Sequence, residues 1–180
     1  MNSKFPLLAL ALFVSFTLTA HAQNLLGDDD GHAVKLFAEV TGARSGQGVG
    51  TLWGGSAGGY VQGHLLGIVL RGTAEPSGAT VHVFNALLGP RLALSFPLAR
   101  IFVEATGGVG HTGYYDSDGY FGSSWGPAWQ ANAGISHGFL PRLEWRILDV
   151  GYGRIYAGPG VSPVFISSGL SLHLWGSGGQ

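Results

Sequence analysis

The chain contains no cysteine, which excludes a disulfide framework, a thiolate nucleophile and any thiolate metal site. Charge is scarce as well. Asp, Glu, Lys and Arg make up 11% of the residues, against roughly 25% in ordinary soluble domains. The 9 basic and 10 acidic residues nearly cancel, so no strong field is available to attract nucleic acid. Beyond the N-terminal segment, no stretch approaches the ~20 consecutive apolar residues that a membrane-crossing helix needs. Glycine (32 residues) and aromatics (12%) are abundant instead. A surface in water is hard to cover with so few charges; a surface facing lipid needs none.

The N-terminus follows a different logic from the rest. Lys4 supplies a positive charge, Leu7–Phe16 is apolar, and Ala20-His21-Ala22 has the small-x-small pattern of a cleavage site. Residues 1–22 are therefore expected to be a cleaved export signal. The remainder suffices for one domain. Residues 23–33 read as an N-terminal linker, expected to be periplasmic, 34–175 as the folded region and 176–180 as a C-terminal tail.

Within 34–175 the dominant signal is period-two alternation, the mark of a strand with two unlike faces. It is clearest from Phe84 to Phe96, where Phe84, Ala86, Leu88, Pro90, Leu92, Leu94 and Phe96 share one parity. The other parity holds Asn85, Leu87, Gly89, Arg91, Ala93 and Ser95, mixed and small. That run exceeds the usual five or six residues of a globular strand and suits a tilted membrane strand of about 9–11. Similar alternation predicts strands at Val34–Thr41, Thr51–Gly59, Leu65–Thr73, Ile101–Gly107, Trp129–Ile135, Arg142–Tyr152 and Val164–Leu174. The fold class is then all-β: an eight-stranded antiparallel up-and-down transmembrane β-barrel.

The spacers alternate in length. Tyr60–His64, Phe96–Arg100 and Gly138–Pro141 are short and expected to be periplasmic. Gly42–Gly50, Ala74–Ala79, Gly110–Pro127 and Ala157–Pro163 are expected to face outward. Two positions resist the pattern. Pro90 removes a ladder donor from the best strand and predicts a bulge or bend. Asp149 has the wrong parity for Glu144 and Arg146, unless a bulge at Ile147-Leu148 resets the register.

With that bulge, the inward parity collects Lys35, Glu39, Arg71, Arg91, Glu104, Glu144, Arg146 and Asp149. These are four positive and four negative groups for a lumen just wide enough to be filled by side chains. They predict a balanced plug of ion pairs, with Arg91 opposite Glu104 on the neighbouring strand. On the outward parity, Trp53, Phe84, Trp129 and Tyr152 fall near one rim and Phe96 and Trp145 near the other, as two interfacial belts would.

These features carry a resemblance. The signal, the eight alternating runs, "LLGPRLAL" at Leu87–Leu94 and "RILDVGYGR" at Arg146–Arg154 are similar to the OmpA-like small outer-membrane β-barrel family, in the short form without a peptidoglycan-binding domain. The resemblance implies insertion in the cell outer membrane by the barrel assembly machinery, contact with outer-membrane lipid and lipopolysaccharide, and no single activity. The chain departs from many such barrels in that Trp175 is followed by Gly-Ser-Gly-Gly-Gln and does not end the chain.

No enzymatic constellation is legible. Ser136 adjoins His137, and Ser171 shares a parity with His173, but no carboxylate is placed near either by pattern. Asp28-Asp29-Asp30 with His32 reads as solvated linker, Asp116 and Asp118 lack calcium-loop spacing, and no nucleotide or zinc motif is present. No cofactor or metal is expected. The Gly110–Pro127 gap concentrates Tyr114, Tyr115, Tyr120, Phe121 and Trp125 among Gly, Ser and Asp, a composition suited to contacting an extracellular protein or glycan. The expected role is thus structural or interactive, through outer loops. A small porin-like channel and a soluble lipocalin-like calyx, with the apolar parity turned inward around an apolar ligand, are the alternatives.

Overall fold

The computed structural model describes residues 32–45, 51–75, 81–115, 121–158 and 160–175. The export signal, the linker before His32 and the tail lie outside the described residues. Eight strands follow one another: β1 (Ala33–Ser45), β2 (Thr51–Gln62), β3 (Leu66–Glu75), β4 (Val81–Ser95), β5 (Arg100–Tyr115), β6 (Phe121–Leu140), β7 (Leu143–Ile155) and β8 (Pro163–Trp175). Each pairs antiparallel with its neighbours, and β8 returns to β1, closing the barrel. Closure leaves no strand edge unpaired, which is what lets so apolar a β-protein avoid edge-to-edge aggregation.

The alternation in sequence becomes an inside and an outside. Leu36, Val40, Leu70, Leu88, Leu92, Ile166, Leu170 and Leu172 are all exposed, while Lys35, Glu39, Arg71, Arg91, Glu104, Arg146 and Asp149 are buried. The calyx alternative required the reverse arrangement and is overturned. Trp53, Phe84, Trp129, Tyr152, Phe96 and Trp145 are exposed on the outer face.

One end of the barrel has tight connections, at Gly63–Leu65, Phe96–Ala99 and Pro141–Arg142. The first two are fastened by Gly63 N–H to Leu66 O and Phe96 N–H to Ala99 O, both 2.8 Å. At the other end the gap expected over Gly110–Pro127 is mostly strand. β5 and β6 stay paired up to Tyr115 and Phe121, and only 116–120 lie between them. The reason is local. Gly113 pairs with Ser123 and Thr112 with Ser124, so the backbone ladder continues where small polar residues leave no hydrophobic alternation to read.

The two irregular positions behave differently. Between β7 and β8 the register shifts between Arg146 and Asp149, so Ile147 and Leu148 both face outward and Asp149 turns fully inward. Pro90 produces no bulge. The β4–β5 ladder skips Gly89 and Pro90 and resumes at Arg91 opposite Glu104 in the same register. The missing N–H costs a rung without displacing the strand, because β3 still pairs with Pro90 through Ile68.

The closing seam depends on Gly169. A Cβ there would stand 2.0 Å from Ala38 O and 2.5 Å from Glu39 Cα, atoms of the opposing backbone that cannot swing aside. Gly169→Ala is therefore expected to force β1 and β8 apart and lower the urea midpoint of the refolded protein. Gly138→Ala, where a Cβ meets nothing within 4 Å, should leave that midpoint unchanged.

Candidate functional site

Side chains from β1, β3, β4, β5 and β7 meet across the lumen at mid-height. Arg71 reaches Glu39 at 3.0 Å, Glu104 at 2.9 Å and Asp149 at 2.6 Å. Arg146 reaches Glu39 at 2.6 Å, Asp149 at 2.8 Å and Glu104 at 3.5 Å. Arg91 pairs with Glu104. Ser56 donates to Glu39 at 2.9 Å and Asn132 to Asp149 at 2.9 Å. Three guanidiniums thus face three carboxylates, the balance that buried charge requires.

Aromatic rings complete this layer. The Phe102 ring lies between Arg91, 4.0 Å from its centroid, and Arg146 at 4.4 Å. Phe37 lies 4.4 Å from Arg146 and 5.0 Å from Arg71, and Tyr60 lies 4.2 Å from Arg91. Desolvated guanidiniums over ring faces gain cation–π attraction without spending a hydrogen-bond donor.

Lys35 and Glu144, also expected inside, form a separate pair at 2.5 Å nearer the tight-turn end. Glu144 is further bonded by Ser136 and by Arg100 at 3.3 Å. Arg100 is a partner that sequence reading placed in a turn. The Ser136–His137 neighbours are split by strand alternation: Ser136 is buried against Glu144, while the His137 ring contacts Leu98 O at 2.6 Å on the outside. Ser171 shares a hydrogen bond with the Tyr60 hydroxyl at 3.2 Å. Asp28, Asp29, Asp30, Asp116 and Asp118 lie outside the described residues; among the described residues no group of His, Asp and Glu is placed to hold a metal.

Toward the long-connection end the lumen changes character. Ala43, Leu52, Val83, Leu87, Ala128, Ile155, Ala157 and Phe165 form one buried apolar cluster. Ala157 belongs to the β7–β8 connection, which stands at the end expected to face outward and is itself buried in the mouth. Gly158 and Gly160, with φ of 58° and 74°, turn the chain back in a conformation that favours glycine. Val161 then exchanges hydrogen bonds of 2.8 and 3.0 Å with Ile155. Tyr156 N–H donates to Pro127 O at 2.9 Å and the Thr112 hydroxyl to Ala157 O at 3.2 Å, tying the connection to the β5–β6 hairpin.

The expected contact surface is part of that hairpin. Tyr114, Tyr115 and Phe121 stand on strands, their side chains outside the described residues, as is the whole of Tyr120. Trp125 is 69% exposed and packs on His111, with centroids 4.7 Å apart; His111 in turn lies 6.1 Å from Phe84. A second exposed group joins Trp129, edge-on to Tyr152 at 5.7 Å, with Tyr156, whose hydroxyl is 3.4 Å from the Trp129 Nε1 donor.

Comparison with known proteins finds likeness in structure alone. No protein-family model matches the chain, and no curated sequence matches it. Among solved structures, Neisserial surface protein A (NspA) matches with a TM-score of 0.62 at 14% identity, over 80% of this chain and 97% of its own. The N-terminal β-barrel domain of Pseudomonas aeruginosa OprF matches with a TM-score of 0.51 at 18% identity, over 77% and 97%. The fold is therefore that of small eight-stranded outer-membrane barrels.

Proposed function

We propose that the chain is an integral barrel of the bacterial outer membrane that acts through the surface at its long-connection end, not through its lumen. Two supports underlie the location. The exterior presents leucine, isoleucine or valine from every strand while every described carboxylate and most described cations are inside, an arrangement that favours an apolar medium. The shared fold with NspA and OprF agrees with it. β8 ends on Trp175, so an aromatic closes the last strand for the assembly machinery even though the chain continues.

The observation that carries the functional reading is closure of the lumen at two levels. The ion network fills its middle, and the apolar cluster with Ala157 fills its outer mouth. The apolar cluster, with the buried Glu75 opposite Val83, lies above a layer in which three guanidiniums face three carboxylates. What is left to meet partners is the β5–β6 hairpin, presented on a rigid scaffold as binding segments commonly are. An extracellular protein or glycan is the partner class that its exposed aromatics suit.

The test replaces Tyr114–Gly122 by Asn-Gly, a two-residue turn that closes a hairpin, joining Gly113 to Ser123 where the ladder is already paired. Folding and heat-modifiable migration should persist, because the Thr112–Ala157 bond and the Trp125–His111 stack are retained. Adhesion or glycan binding by cells displaying the protein should be lost. Both forms should conduct negligibly in planar bilayers. A steady channel unaffected by the replacement would move function into the lumen and favour the porin-like reading.

A further inference from the structure

Closure seals the barrel wall but not the hairpin that rises above it. β6 pairs with β5 all the way up to Phe121, whereas its outermost pair with β7 is Ala128 with Ile155. Phe121–Pro127 therefore has a strand on one side alone. The β7–β8 connection covers the lower part of the open side. There Tyr156 N–H donates to Pro127 O at 2.9 Å, and a Cβ on Gly126 would stand 2.2 Å from Tyr156 O. Along a strand, the N–H and C=O of one residue point to the same side, and successive residues point to opposite sides. The Pro127 carbonyl faces the open side, so the N–H and C=O of Trp125, Ser123 and Phe121 face it too. Among the described residues no backbone group bonds to them. Natural sheet edges are commonly blunted by lysine, proline or a bulge. Phe121–Gly126, with the sequence FGSSWG, has no lysine and no proline, and its register with β5 is unbroken. The edge is left competent to pair.

Position and chemistry select the partner. At about 3.3 Å per residue, Trp125 lies about 13 Å along β6 from the belt residue Trp129, and Phe121 about 26 Å, on the side away from the tight turns. A row of alternating N–H and C=O groups at that spacing is matched in series by another extended backbone. A glycan carries no such repeat. The outward face of the edge adds a side-chain contact, since Ser123 and Trp125 are exposed there and His111 braces the Trp125 ring. A β-branched or aromatic residue of an added strand packs against that ring as a cross-strand pair, and the small Ser123 beside it leaves room for a larger neighbour.

We infer that Phe121–Trp125 is a docking edge for an extended segment of a partner polypeptide, which adds to β6 as a further strand. The inference rests on the reading that the hairpin is the functional surface, and it narrows the partner from protein or glycan to protein. In the test, a short capped peptide of alternating threonine and valine is titrated into the refolded full chain in detergent, and amide hydrogen exchange is read residue by residue by NMR. In the free chain the Ser123 and Trp125 amides should exchange fast, unlike that of Ser124, which faces β5. The peptide should protect both. The same peptide N-methylated at every residue keeps its side chains but has no backbone donors, and should protect neither. Ser123→Pro removes one edge N–H without touching the ladder to β5 and should abolish the protection, whereas Ser123→Ala should keep it. Heat-modifiable migration confirms that both variants are folded, and the N-methylated peptide tests the contact without altering the protein. No protection by the first peptide, equal protection by the second, or protection surviving in Ser123→Pro would overturn the edge. So would a dimer of the free chain that Ser123→Pro dissociates, since the edge would then belong to a second copy. Adhesion of displaying cells separates the two levels of the reading. Adhesion lost on replacing Tyr114–Gly122 but unchanged in Ser123→Pro would overturn the edge and leave the hairpin reading standing. Adhesion unchanged by that replacement would remove the hairpin reading and this edge with it.

Discussion

Arg71→Leu should destabilise the refolded barrel by about 3–5 kcal/mol, the range for removing one partner of a buried ion pair, read as a lowered urea midpoint in vesicles. Arg71 is the one guanidinium bonded to Glu39, Glu104 and Asp149 within 3.0 Å. Without it, three buried carboxylates face only Arg146 and Arg91. Arg71→Lys should recover part of the loss, since it restores charge but not the fork. Arg91→Leu should cost less. From sequence, removing Arg91 is expected to strand Glu104 on the neighbouring strand, but Glu104 also keeps Arg71 at 2.9 Å and Arg146 at 3.5 Å. An Arg91 variant as damaging as the Arg71 variant would show that the network does not share charge in this way.

The adjacent residue should obey the opposite rule. Leu70 is 57% exposed midway along β3, and in water Leu70→Arg would be nearly neutral or would improve solubility. Facing hydrocarbon, it should cost about 2–4 kcal/mol. Leu98→Arg, in a turn where the side chain is already 78% exposed, should cost about 0–1 kcal/mol, the value near the interface. Equal midpoints for the two variants in vesicles would mean that depth along the barrel is irrelevant and that the exterior is not embedded.

The parts of this architecture that could be read from sequence are those where the two strand faces differ chemically. Leu88 beside Arg91, and Leu170 beside Ser171, announce an inside and an outside. The bulge at Ile147-Leu148 follows because Asp149 had no other way to turn inward. Legibility fails where the faces become alike. Toward the outer mouth Leu87 points in and Leu88 out, both apolar, because an apolar cluster fills the lumen there; Leu52, Val83 and Phe165 beside Trp53, Phe84 and Ile166 therefore leave no period-two trace. The β5–β6 extension failed for the converse reason, with glycine, serine and threonine on both faces.

Partners within the network were hidden by topology. Parity places eight charges in one lumen, but which ones touch depends on strands meeting across it. Lys35 and Glu144 come from opposite ends of the chain, and Arg100, at a strand start, joins them. The aromatic surface was located by composition, and its rigid half, Trp125 on His111, proved to belong to paired strands.

The central claim is an inside-out barrel in a membrane, and site-directed labelling tests it most directly. Single cysteines at Leu88, Leu92, Leu170 and Leu172, in a chain that has none of its own, should react in vesicles with a lipophilic maleimide and resist a membrane-impermeant one. A cysteine at Leu98, in a turn, should show the reverse preference. Labelling of the four strand positions by the impermeant reagent as readily as Leu98 would place the exterior in water and contradict the account.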